Sequence, residues 1–145
     1  MSRVSLRTLN LPLLMLVAYW ILAFIATHLP GAAVDEMRSG LLTNLFGDFQ
    51  HTDKVAHFAI YFVLSGLIML LLDRYGKQGW LAVATTLGVA FAYGAIDEWL
   101  QSFIPRRSMD LNDWYADAFG TVCGIAAFLC LRPRITTAKN HARAH

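Results

Sequence analysis

Asp97, Glu98, Gln101, Arg106 and Arg107 lie close together where a long apolar run ends. Asp53, Lys54, His57 and Tyr61 open another such run. A carboxylate beside a histidine can do general acid–base work. Two adjacent guanidiniums offer forked donors matched to phosphate or carboxylate oxygens. The same types could also hold a metal, with His57 and two carboxylates as ligands. Neither cluster contains a His-x-x-x-His or Glu-x-x-His pair, so the expectation is no metal and no other cofactor. The chain has no Gly-rich phosphate loop and no Gly-x-Ser-x-Gly elbow.

These groups must be positioned by elements that suit a bilayer. The 145 residues are 57% hydrophobic and 15% charged, against about a quarter charged in soluble domains. Mean hydropathy is +0.47. Four apolar stretches, at about 9–29, 55–72, 80–99 and 114–131, are candidates to cross a membrane. Eighteen residues give roughly 27 Å, close to the ~30 Å hydrocarbon core. Trp80, Trp99 and Trp114 fall at span ends, where interfacial aromatics belong. A net charge of +2, with scattered basic residues, argues against a nucleic-acid partner.

The expected fold is all-α: one membrane domain over 1–145 with four transmembrane helices. Arg3 and Arg7 precede the first span, Arg74 and Lys77 lie between the second and third, and Arg132, Arg134, Lys139 and Arg143 follow the fourth. That bias places both termini in the cytoplasm and both polar clusters on the outer side. The first apolar run exceeds a signal-peptide core, so an uncleaved helix is expected. In the first outer loop, Met37, Leu41, Leu42, Leu45, Phe46 and Phe49 recur at helical spacing and predict a short interfacial helix. The tail from 133 to 145 is expected to fray at the cytoplasmic surface. Cys123 and Cys130 are seven positions apart, about 10 Å along one helix and beyond disulfide reach, and read as buried apolar filler.

A short internal repeat also stands in the sequence. Thr27-His28-Leu29-Pro30 and Ser102-Phe103-Ile104-Pro105 each end an odd-numbered span, and Asp53-x-x-Ala-His57 and Asp113-x-x-Ala-Asp117 each open an even-numbered one. Two hairpins inserted the same way would set the even-numbered helices parallel.

Asp53, His57 and Tyr61 recur every fourth residue and share one helix face, as do Tyr93, Asp97 and Gln101. Asp113, Asp117, Gly120 and Gly124 form a third stripe. Such groups cannot face lipid cheaply, so the stripes should face one another, with His57, Asp97, Glu98, Arg107 and Asp113 converging. Gly120-x-x-x-Gly124 permits close helix approach beneath them. Each piece also has a plain structural use. Asp110, Asn112 or Asp113 can serve the start of the fourth span and Asp53 the second. Lys54 can snorkel, and Arg107 can neutralise Glu98.

Taken together, Asp53-Lys54-x-x-His57-Phe58-x-x-Tyr61, Tyr93-Gly94-x-x-Asp97-Glu98-x-x-Gln101-x-Phe103-x-Pro105-x-Arg107, Asp113, Gly120 and Gly124 resemble the VanZ-like family of small bacterial membrane proteins, named for a protein linked to teicoplanin resistance. The resemblance covers about 27–128. Two positions depart from the pattern: Arg106 stands where Gly is frequent, and Asp117 where Asn is common. The resemblance implies a multi-pass protein of the bacterial cytoplasmic membrane acting at the cell envelope, and it supplies no reaction.

Two functions follow as expectations. In one, an outward site binds, and in its stronger form modifies, an anionic lipid or lipid-linked envelope precursor. Arg107, Arg106, Lys54, Gln101 and Asp113 would hold it, His57 with Asp97 and Glu98 would supply acid–base chemistry, and Asp53, Tyr61, Tyr93 and Asp117 would support them. In the other, the polar network fixes helix register in a non-catalytic interaction module. An unpaired Arg107 beside an open cleft favours the first; a closed network with every charge paired favours the second.

Overall fold

The computed structural model of the chain describes residues 10–37 and 52–141. Their regular structure is entirely helical: α1 (Leu11–Thr27), α2 (Gly31–Met37), α3 (Thr52–Arg74), α4 (Trp80–Gln101) and α5 (Leu111–His141). Three apolar segments, Asp53–Arg74, Trp80–Gln101 and Leu111–Arg132, are long enough to cross a membrane, at roughly 33 Å each. α1 is equally apolar but only 17 residues long, about 26 Å. The interfacial helix expected over 37–49 lies almost wholly outside the described residues; α2 ends where it would begin.

The helix ends have local causes. Pro12 stands in the first turn of α1, where its missing N–H costs no helical bond. α3 stops in a left-handed cap at Gly76 (φ 71°). There Gly76 N–H donates to Asp73 O at 3.0 Å and Lys77 N–H to Leu72 O at 2.9 Å, a Schellman pattern. α5 starts at an Asp110 cap, whose Oδ1 accepts the Asn112 N–H at 2.8 Å. Of the capping candidates in the sequence, Asp110 is the one used. α5 also continues to His141 rather than fraying after 133.

Helix directions follow from paired residues. Lys54 meets Asp113, His57 meets Asp117, and the backbone at Phe58 and Phe62 abuts Gly120 and Gly124. Sequence numbers rise together, so α3 and α5 run parallel. The α1 and α4 contacts, Trp20 with Tyr93 and Thr27 with Asp97, also rise together. α3 and α4 pack antiparallel, Tyr61 on Tyr93 and Met69 on Thr86. The result is an up-down bundle in which α1 runs parallel to α4 and α3 to α5, the arrangement expected from the repeat.

The α3–α5 seam is the closest in the bundle. A Cβ on Gly120 would overlap the Phe58 carbonyl, and one on Gly124 would overlap the Phe62 carbonyl and Ser65 Oγ. Below the polar end, Leu16, Tyr61, Leu64, Ile68 and Ala90 make one core cluster, and Met69, Ala82 and Ile125 another. The opposite end of the bundle is tied by an Asn10–Tyr75 side-chain bond and an Arg132–Asp73 ion pair at 3.0 Å.

Burial is inverted relative to a water-soluble bundle. His57, Asp97, Glu98, Gln101, Asp113, Asp117 and Thr121 are buried, while Leu14, Ile21, Leu22, Val55, Ile96, Phe119, Val122 and Leu129 are exposed. Trp80 and Trp99 project outward as interfacial aromatics should. Trp114, in the first turn of α5, is half-buried, and its Nε1–H donates to Phe91 O at 3.2 Å. Cys130 is exposed and Cys123 only half-buried, so they are not core filler.

Candidate functional site

The polar residues gather at the end of the bundle formed by the C-termini of α1 and α4 and the N-termini of α3 and α5. They form three connected groups. The first is ionic and partly exposed. Lys54 Nζ donates to Asp113 Oδ1 at 2.8 Å, Asp110 Oδ2 at 2.9 Å and Asp53 Oδ2 at 3.3 Å. Those three contacts match the three donors of an ammonium. Lys54 is therefore a neutraliser of carboxylates in this structure, fixed between the starts of α3 and α5. Asp110 stands just outside the α5 span; the Lys54 ammonium, with the Asn112 N–H, holds its carboxyl below the usual value.

The second group is dry. His57 Nδ1 and Asp117 Oδ1 are 2.9 Å apart, and His57 Nδ1 lies 4.0 Å from Glu98 Oε1. The three side chains are 4%, 2% and 3% exposed, which excludes bulk water from their contact. Glu98 spends its other oxygen, Oε2, on the Asp110 backbone N–H at 2.8 Å. The end of α4 is thereby tied to the cap of α5, and the connection carrying Arg106 and Arg107 is closed at its base. Glu98 Oε1 and Asp117 Oδ2 are buried without a hydrogen-bond partner, as are the hydroxyls of Tyr61 and Tyr93.

The third group centres on Asp97. Its Oδ1 accepts from Thr27 Oγ1 at 2.9 Å, its Oδ2 accepts from Gln101 Nε2 at 3.0 Å, and His28 Nδ1 is 3.6 Å away. Asp97 and Glu98 are adjacent on a helix with 3.6 residues per turn, so they point about 100° apart. Glu98 faces α3 and α5; Asp97 faces α1. The acid–base pairing expected between His57 and Asp97 is consequently not formed, because the glycine seam brings His57 opposite Asp117 instead. Tyr61 and Tyr93 stack at 5.8 Å between rings, beneath the carboxylates.

Arg107 is separate from all three groups. Its backbone N–H closes a turn onto Ile104 O at 3.1 Å. Among the described residues no carboxylate lies within ion-pair distance of its guanidinium, and Glu98 is turned to the Asp110 backbone. Arg106 is the sole non-glycine residue with positive φ among those described, at 65°. Left-handed backbone costs roughly 1–2 kcal/mol with a Cβ, which gives a physical reason for Gly at that position in the pattern. The turn packs on α2: Gly31 N–H donates to Pro105 O at 3.4 Å, and a Cβ at Gly31 would meet Arg106.

Sequence reasoning left Thr27, His28 and Asp110 out of the site. The signal for the first two was present, since they open the first copy of the repeated span ending. Asp110 was visible as a cap and hidden as a partner of both Lys54 and Glu98.

A profile of one protein family, described as VanZ/LLP1, matches residues 4–132. The chain belongs to the VanZ/LLP1 family. Comparison with curated proteins and with solved structures gives no significant match. With family membership and three long apolar helices wrapped around buried charges, this VanZ/LLP1 protein is a multi-pass membrane protein. The match takes in all of α1 and the whole polar end, extending the resemblance beyond the 27–128 carrying its motifs.

Proposed function

We propose that this VanZ/LLP1 protein crosses the bacterial cytoplasmic membrane four times, with both termini in the cytoplasm, and that its outward polar end binds the anionic headgroup of a lipid or lipid-linked envelope precursor. α1 completes the crossing by tilting less than its longer neighbours or by local thinning of the bilayer. The orientation rests on Arg74, Lys77 and Arg132 at the end opposite the polar groups.

The observation that carries the reading is the state of the cations. Lys54 is occupied by three carboxylates, whereas Arg107, on the connection tied down by Glu98, has no carboxylate partner among the described residues. A planar guanidinium at a membrane surface is suited to two oxygens of a phosphate. Where the bound lipid is also modified, His57, held by Asp117 and facing Glu98, is the acid–base group. The closed Lys54 and His57 contacts favour a second reading, in which the network fixes helix register and the protein acts by binding a partner.

Single cysteines placed in 38–51 and after 133, in a background with Cys123 and Cys130 replaced by Ala, test the orientation. The loop positions should react with a membrane-impermeant maleimide on intact cells, and the tail positions only after lysis. Tail labelling on intact cells would overturn the topology and the outward site together. The anion arm is tested separately, through lipid retention by Arg107 variants.

A further inference from the structure

Charge within the dry layer of the bundle is unbalanced. Asp97, Glu98 and Asp117 are all buried, and Lys54 is committed to Asp53, Asp110 and Asp113. Among the described residues, the imidazoles of His57 and His28 are the nearby sources of countercharge. Carboxylates withdrawn from water need a paired cation, a proton or a metal. Asp97 is provided for by Thr27 and Gln101. Glu98 and Asp117 are not: each keeps one buried oxygen with no hydrogen-bond donor.

Those two residues and His57 are brought together by three different helices. One ligating atom from each lies within 4.8 Å of the others. Bonds of about 2.0–2.2 Å in a tetrahedral shell separate neighbouring ligand atoms by roughly 3.3–3.6 Å, so small rotamer changes close the set on one ion. An imidazole with two carboxylates suits a divalent transition ion such as Zn²⁺ or Mn²⁺, and leaves a coordination position open.

We infer that His57, Glu98 and Asp117 form a binding site for one divalent metal ion, seated between α3, α4 and α5 beneath the Lys54 cluster. The site goes beyond the anion reading and does not need it, because Arg107 is not among its ligands. It accounts for the buried Glu98 Oε1 and Asp117 Oδ2, which lack a hydrogen-bond donor although both carboxylates reach the His57 imidazole through one oxygen, at 4.0 and 2.9 Å.

The test uses full-length protein purified in detergent from cells grown with added Zn²⁺ or Mn²⁺, without chelator. Metal content by mass spectrometry should approach one equivalent per chain. After chelation, Zn²⁺ or Mn²⁺ should rebind at one equivalent and raise the thermal midpoint. Glu98→Gln and Asp117→Asn, which keep size and shape, should each weaken binding at least tenfold, whereas Asp73→Asn at the far end should leave it unchanged. Folding of the variants is checked by their size-exclusion profile. In wild type, electron paramagnetic resonance of Mn²⁺ should report an immobilised ion with nitrogen coupling from His57. Metal content near zero under both growth conditions, with no shift of the midpoint by either ion, would overturn the inference and leave a hydrogen-bonded His57–Asp117 pair alone. Binding that is equal in wild type, Glu98→Gln and Asp117→Asn would overturn it too, by placing the ion elsewhere.

Discussion

Replacing Gly120 and Gly124 by Ala should prevent α3 and α5 from reaching their packed distance. At both positions a methyl group would overlap backbone carbonyl atoms of α3, at Phe58 and Phe62. A flexible side chain can rotate away from such a contact; a helical carbonyl cannot. Each substitution is expected to cost about 1–3 kcal/mol from overpacking, and the pair together more. The effect reaches the polar end, because the same seam sets the 2.9 Å approach of His57 to Asp117. Gly66 and Gly88 are the controls: a Cβ at either meets nothing within 4 Å. Their Ala variants should be neutral or gain about 0.5–1 kcal/mol from helix propensity. Melting curves in detergent compare the four. Equal midpoints for Gly120→Ala and Gly88→Ala would contradict the close seam.

His57→Leu should be the most damaging substitution among the polar residues. It removes the imidazole bonded to Asp117 Oδ1 and leaves Asp117 beside Glu98 in a dry site. Breaking a buried pair from one side costs roughly 3–5 kcal/mol, whereas replacing both members by apolar groups of similar volume is often near neutral. Accordingly, His57→Leu with Asp117→Leu should recover much of the stability lost in the single variant. Measurements in chelator keep any bound metal out of the comparison. A single variant that melts with wild type, or a double variant that adds the two single losses, would show that His57 and Asp117 do not act as a pair.

How much of this was legible follows from what a bilayer enforces. Polar side chains recurring every fourth residue in an apolar run must turn inward, so the faces carrying His57, Tyr61, Tyr93, Asp97 and Asp117 could be read directly from spacing. The parallel course of α3 and α5 was likewise visible in the repeated Asp-x-x-Ala opening. Pairing was not legible. Asp97 and Glu98 are neighbours in sequence, yet one serves α1 and the other α3 and α5, and only the depth of the glycine contact decides which carboxylate His57 meets. Thr27 and His28 enter the site because α1 and α4 end at one level, which a span length uncertain by a turn cannot give. The left-handed backbone at Arg106 left its mark as a departure from a Gly-bearing pattern, without saying what the Gly was for. The exposure of Cys130 was not legible either, because a thiol is compatible with lipid and with core, and helix rotation alone separates the two.

The proposed anchoring of an anionic headgroup by Arg107 is tested by the lipid that stays with the protein. Wild type, Arg107→Lys and Arg107→Gln should be extracted in a mild detergent, purified identically and analysed by native mass spectrometry with lipid profiling. Wild type should retain an anionic lipid or lipid-linked phosphate, and Arg107→Gln should lose it while melting normally. Arg107→Lys should retain it poorly, because an ammonium lacks the two-pronged donor. Retention of the same anionic lipid in equal amount by wild type and Arg107→Gln would show that Arg107 does not anchor it.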